Sequence, residues 1–197
     1  MEFTGERVVP GKMENYIGTY VEHLTRYVFC LGFCINKKVM DVACGTGYGL
    51  EMISSVAQCG LGVDIDQKSL DFAQKNYKFY GKNFGLIKRD LEKDPLNSGF
   101  FAKTIDTVTS FETIEHLENP DFFIQNVKEI LKDDGTFIFS IPINNPSKYH
   151  KIAYTKQEAK ALMEKYFTKI QWFSQVGAHI IIDNENSTFL IGVATNN

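Results

Sequence analysis

The chain has no CxxC cysteine pair, no long basic run, no bilayer-length apolar stretch, and only five prolines and one tryptophan. The four cysteines are isolated, and Cys30 and Cys34 fall at i, i+4 on one face of an expected helix. They read as small buried hydrophobes. With a net charge of −3 and no basic run, a nucleic-acid binder held by phosphate contacts is not expected. The most apolar early stretch, 27–35, is far too short to span a bilayer. Residues 1–7 carry no apolar signal core, so the expected location is cytoplasmic. No internal repeat, linker or low-complexity tract divides the 197 residues, and one domain with a proper core is expected.

The most informative stretch is Val39-Met40-Asp41-Val42-Ala43-Cys44-Gly45-Thr46-Gly47-Tyr48-Gly49. A short apolar run carries an acid, three alternate glycines follow, and an amphipathic segment begins. That is a strand, a tight turn and a helix N-terminus, the layout of a nucleotide-cofactor site. Strands are expected at 39–42, 60–63, 84–87, 105–109, 136–141, 169–173 and 189–193. Helices are expected at 13–33, 48–56, 69–77, 120–131 and 155–166. Pro120 suits a first helical position, and Thr155 with Glu158 has capping-box spacing. The alternation implies a parallel sheet covered on both faces. No helix separates the last two strands, which can pair antiparallel through a hairpin-like connection around 183–186.

Two further acids specify the cofactor. Asp64 lies 19 residues beyond Gly45 at the end of the second strand, where a carboxylate can accept both hydroxyls of a ribose. Asp90 ends the third strand, within reach of an adenine rim. A nicotinamide site would show G-x-G-x-x-G/A, whereas the spacing here is G-x-G-x-G. Asp41, just before the loop, would repel a pyrophosphate and suit an ammonium or sulfonium. This pattern favours S-adenosylmethionine.

The stretch 41–49 resembles the first motif of the class I S-adenosylmethionine-dependent methyltransferases. Gly62-Val63-Asp64-Ile65-Asp66 resembles their ribose-binding motif, and Asp90-Leu91 their adenine-contacting position. Ser110-Phe111-Glu112-Thr113-Ile114-Glu115-His116-Leu117 resembles the segment after their fourth strand. Leu131-Lys132-Asp133-Asp134-Gly135 resembles their LKPGG turn, with Asp133 in place of proline. The resemblance implies a Rossmann-like three-layer αβα sandwich. Its sheet would have seven mostly parallel strands in the order 3-2-1-4-5-7-6, with strand 7 antiparallel. It also implies cofactor contacts from Asp41, Cys44, Gly45, Thr46, Gly47, Asp64, Ile65, Asp90, Leu91, Ser110 and Phe111. Residues 1–35 would form a loop and helix across the cofactor site. There Arg26 either pairs with the cofactor carboxylate or lies on a solvated face. The segments 4–11 and 22–27 resemble the opening of bacterial-type methyltransferases associated with glycan and polysaccharide biosynthesis. That resemblance implies a sugar hydroxyl, of a glycan or a nucleotide-sugar, as the acceptor.

A hydroxyl is a poor nucleophile at neutral pH and needs a base or a metal. His116 is the candidate base, with Glu112 or Glu115 beside it to orient the ring. Glu112, Glu115, His116 and His150 together also suit Mg²⁺ or Mn²⁺. This set is similar to the metal motif of small-RNA 3′-terminal 2′-O-methyltransferases, where the metal grips a diol. Alternative acceptors are a quinone- or catechol-type small molecule and an RNA 3′ end. A catalytically silent cofactor-binding scaffold is the non-enzymatic alternative. Trp172 and the many phenylalanines read as core, and His179 as a surface or hairpin histidine.

Overall fold

The computed structural model describes residues 8–10, 17–79, 83–97, 101–185 and 187–196. Most of the expected N-terminal loop, and the helix start at 13–16 with Tyr16, lie outside the described residues. In chain order the elements are α1 (Ile17–Cys34), β1 (Lys38–Val42), α2 (Tyr48–Ser54), β2 (Cys59–Asp64), α3 (Gln67–Asn76) and β3 (Phe84–Lys88). They continue with β4 (Ile105–Phe111), a 3₁₀ turn (Ile114–His116), α4 (Pro120–Ile130), β5 (Leu131–Pro142) and α5 (Lys156–Glu164). The chain closes with β6 (Lys169–Val176), β7 (His179–Ile182) and β8 (Phe189–Thr195).

One sheet carries all eight strands in the order β3-β2-β1-β4-β5-β8-β6-β7. Strands β1 to β5 pair in parallel, whereas β8 runs antiparallel between β5 and β6. The expected order is retained, with the C-terminal strand now numbered β8. The count of seven is corrected by β7, which the sequence reading left inside the hairpin connection. Its cause is local. Val176 pairs with His179 across Gly177 and Ala178, and Gly177 takes φ 56°, as a two-residue hairpin requires. The β-branched run Ile180-Ile181-Ile182 then extends along β6. His179 is exposed at this edge, as expected.

The pleat sorts side chains between two helical layers. On β5, Phe137, Phe139 and Ile141 pack with Phe123, Ile124 and Val127 of α4 and Leu162 and Met163 of α5. Ile138, one residue out of phase, faces the other layer with Tyr27 and Cys30 of α1 and Ile53 of α2. Asn119 caps α4, accepting from the Phe122 N–H at 3.1 Å, with Pro120 in the first turn. Thr155 and Glu158 form the expected capping box at α5. All four cysteines are free thiols, and three of them are buried. Among the described residues, no helix is long and apolar enough to cross a membrane.

Candidate active site

The carboxyl ends of β1, β2 and β4, the loop after β3, and α1 enclose one cavity of about 480 Å³. That is the size expected of a small-molecule or cofactor site. Cys44, Gly45 and Thr46 line it from the glycine loop, Asp64 and Ile65 from the end of β2, and Asp90 and Leu91 from the loop after β3. Phe111, Glu112 and His116 line it from the end of β4 and the turn that follows. Gly47 does not line the cavity. It is left-handed, at φ 79°, and a Cβ there would stand 2.6 Å from the Ala73 Cβ of α3. This glycine therefore lets the turn close against a neighbouring helix rather than against a ligand. Gly49 acts likewise, since its Cβ would fall 2.0 Å from the Tyr27 ring of α1.

Asp64 takes the Gly45 N–H on Oδ2 at 2.8 Å and the Asp66 N–H on Oδ1 at 2.9 Å. Both bonds fix the carboxylate at the cavity wall, the posture needed to receive a ribose diol. Ile65, 54 % exposed, and Leu91 offer apolar surface beside it for a purine. Asp90 lines the cavity, but its carboxylate is engaged by Lys93 at 2.9 Å and the Glu92 N–H at 3.0 Å. These bonds hold its pKa below the ordinary carboxylate value. The acid-lined, anion-repelling mouth fits a cationic nucleoside better than a dinucleotide.

Besides Gly47, two further expected cofactor contacts lie off the cavity wall. Asp41 lies fully buried behind the loop, accepting from Thr109 Oγ1 at 2.6 Å and the Tyr27 hydroxyl at 3.2 Å. Burial pushes its carboxyl up to about 7, against the lowering effect of those hydrogen bonds. Ser110 is likewise off the cavity wall, donating to Thr113 Oγ1 at 2.9 Å and tightening the turn after β4.

Arg26 is neither solvated nor facing a cofactor. It is completely buried, donating to Gln175 Oε1 at 2.7 Å and to the Glu112 carboxylate, with its guanidinium 4.5 Å above the Phe189 ring. Glu112 also receives His23 Nε2 at 2.8 Å. Burial raises the Glu112 pKa, but the Arg26 guanidinium and the bond from His23 outweigh it and hold the group down at about 2. Glu112 thus orients His23 rather than His116. It stands apart from the metal-type cluster, which among the described residues is Glu115, His116 and His150, with ligand atoms within 4.8 Å of one another.

Each imidazole of that cluster has its Nδ1 on a backbone carbonyl, His116 on Tyr149 at 2.9 Å and His150 on Asn145 at 2.7 Å. A carbonyl only accepts, so each Nδ1 carries a proton, and Nε2 is the nitrogen left to offer a lone pair to a metal. Carbonyl-fixed rings of this kind are typical of metal-ligating histidines. The rings meet edge to face, 4.9 Å apart. Several cavity residues escaped the sequence reading, among them Tyr27, Tyr48, Thr113 and Tyr149. His23 of α1 also lines the cavity and escaped that reading. Its spacing of three from Arg26, which puts both on one helix face, was the available signal.

A parallel sheet with acids at successive strand ends and a glycine turn over one cavity defines a Rossmann-like nucleoside-cofactor enzyme class. Residues 40–139, half of the chain, match the family described as "Methyltransferase domain". The chain belongs to that family, whose methyl donor here is S-adenosylmethionine. It is 29 % identical, over 143 residues, to a "Probable S-adenosylmethionine-dependent methyltransferase" of Mycolicibacterium smegmatis, covering 72 % of this chain and 52 % of that protein. It is 32 % identical, over 106 residues, to a ubiquinone biosynthesis O-methyltransferase of Actinobacillus pleuropneumoniae, covering 53 % and 45 %. The chain thus spans about half the length of these curated relatives. An S-adenosylmethionine-dependent methyltransferase structure from Mesorhizobium loti superposes with a TM-score of 0.69 at 15 % identity, covering 89 % and 98 %, and shares the fold.

Proposed function

We propose that the protein transfers the methyl group of S-adenosylmethionine to a hydroxyl of a small molecule bearing two neighbouring hydroxyls. A sugar of a glycan or nucleotide-sugar and a catechol-type ring both meet that description. The observation that carries the reading is the pair of Nδ1-anchored imidazoles beside Glu115, of which His116 lines the cavity. Glu115, His116 and His150 would hold a divalent cation, which grips vicinal oxygens and lowers a hydroxyl pKa. Without the metal, His116 Nε2 is placed to accept the proton itself. Similarity to the ubiquinone O-methyltransferases supports a small-molecule acceptor, and the opening segment's resemblance supports a sugar.

Methyl transfer is an in-line displacement at an already electrophilic carbon, so positioning supplies much of the rate. Asp64, Ile65 and Leu91 would seat the nucleoside, and the turn 110–117 would present the acceptor. The test is transfer of label from the donor to methyl glucosides, nucleotide-sugars, catechols and short RNA, with Mn²⁺ or with EDTA. Transfer to a diol acceptor that falls at least about tenfold in EDTA and in His150→Ala is the expected result. Metal-independent transfer removes the cation from the reading. Absence of hydroxyl-dependent S-adenosylhomocysteine release leaves a cofactor-binding scaffold instead.

A further inference from the structure

If Glu115, His116 and His150 hold a cation, His116 Nε2 is a ligand and the acceptor's proton must go elsewhere. A second acid–base assembly lies in the same cavity, on its α1 side. Tyr48 and His23 both line the cavity, and the Tyr48 hydroxyl stands 3.0 Å from His23 Nδ1. On the far side of the ring, His23 Nε2 stands 2.8 Å from Glu112 Oε1. The Glu112 carboxylate is held in turn by the wholly buried Arg26. The directions of these bonds follow from donor chemistry. Ionised Glu112 only accepts, so Nε2 carries a proton; in the neutral ring Nδ1 is then the lone pair, and Tyr48 donates to it. Burial raises the Tyr48 phenol well above its ordinary pKa, so it remains a donor.

We propose that His23 is the terminal proton acceptor of the transfer reaction, reached through the Tyr48 hydroxyl and held in the required tautomer by Glu112. The proposal rests on the hydroxyl-methyltransferase reading above. As the acceptor oxygen bonds the methyl carbon, the carbon–sulfur bond breaks and its electron pair stays on sulfur. The acceptor's proton passes to the Tyr48 oxygen while the Tyr48 proton passes to His23 Nδ1. The products are the methyl ether, S-adenosylhomocysteine and a His23 imidazolium beside Glu112, and the imidazolium then returns its proton to water. Among the described residues, the charged or titratable groups about the relay are Glu112, Arg26 and His116 on the carboxylate side, and Tyr20, Tyr27 and Asp41 on the phenol side.

His23→Gln separates a proton acceptor from a structural bridge, because an amide can bond both Tyr48 and Glu112 but cannot take a proton. With catechol and methyl glucoside as probe acceptors, His23→Gln is expected to keep its S-adenosylmethionine Kd within about threefold. It should lose roughly a hundredfold in kcat, together with the acidic limb of the pH profile. A kcat within about threefold of wild type overturns the proposal. If the wild-type protein methylates neither probe, the hydroxyl reading fails, and ¹⁵N NMR of its donor-bound form still tests the relay. A neutral Nε2–H tautomer of His23 at pH 7 supports the relay, whereas an Nδ1–H tautomer or an imidazolium overturns it.

Discussion

Asp41, buried behind the glycine loop, and Glu112, on the cavity wall, are carboxylates whose pKa values move in opposite directions. Burial raises the folded-state pKa of Asp41 from 3.8 to about 7, with no cation beside it among the described residues. Between those values the folded protein holds a proton that the unfolded chain has lost. Its contribution is therefore fully present below pH 4 and is lost as the pH rises through 7. Glu112, paired with Arg26, falls from 4.5 to about 2, so its contribution is present above pH 4.5 and is lost as the pH falls through 2. The Asp41 penalty at pH 8 is on the order of 4 kcal/mol. Asp41→Asn, which still accepts from Tyr27 and Thr109, is expected to be more stable than wild type at pH 8. It should also flatten the fall in denaturation midpoint between pH 4 and 7. An unchanged slope across that window would show that Asp41 ionises normally in the fold. At this scale the acids were legible, because strand-end position follows from hydrophobic pattern. The direction in which Asp41 points was not, because it is set by Tyr27, which reaches back from the preceding helix.

Helix α1 shows how a surface-type element becomes part of a site. Its periodicity marked it as a helix, and Cys30 and Cys34 as its buried face. What fastens it over the cavity is non-local. Arg26 reaches Gln175, 149 residues away, and Glu112, 86 residues away, while Gly49 leaves room for Tyr27. No pattern within α1 distinguishes such an arginine from a solvated one. Removing Arg26 leaves Glu112, partly exposed, with His23 alone, and costs no more than about 3 kcal/mol, the low end for breaking a buried pair. Arg26→Met is expected to lose stability on that scale in chemical denaturation. Adding Glu112→Gln should restore part of it, since no uncompensated charge then remains. A single variant as stable as wild type would mean that the pair contributes nothing net. Strand β7 was hidden for a similar reason. A four-residue run becomes a strand only because β6 leaves an edge free for it.

Across the whole molecule, the parallel strands bring to one edge residues that are distant in sequence: the loop at 44–46, Asp64, Leu91, Glu112 and His116, with His23 added by α1. A ligand that bridges all of these binds the folded chain alone, so it must stabilise the entire cooperative unit. At a hundredfold excess over Kd the gain is about 2.7 kcal/mol. For a chain of this length that corresponds to a rise in melting temperature of roughly 5–10 °C. S-adenosylmethionine and S-adenosylhomocysteine are both expected to produce it, and NAD is not. The ribose assignment localises the effect further. Asp64→Ala should keep a folded core, because the Gly45 N–H it frees lies at the cavity wall and Asp66 is partly exposed, so water can replace the carboxylate. Its ligand-induced shift at the same concentration should shrink by about half, to roughly 3–5 °C, matching a loss of roughly tenfold in affinity. A full shift in Asp64→Ala would move the ribose away from β2, and with it the orientation that brings the methyl group towards His116 and His23.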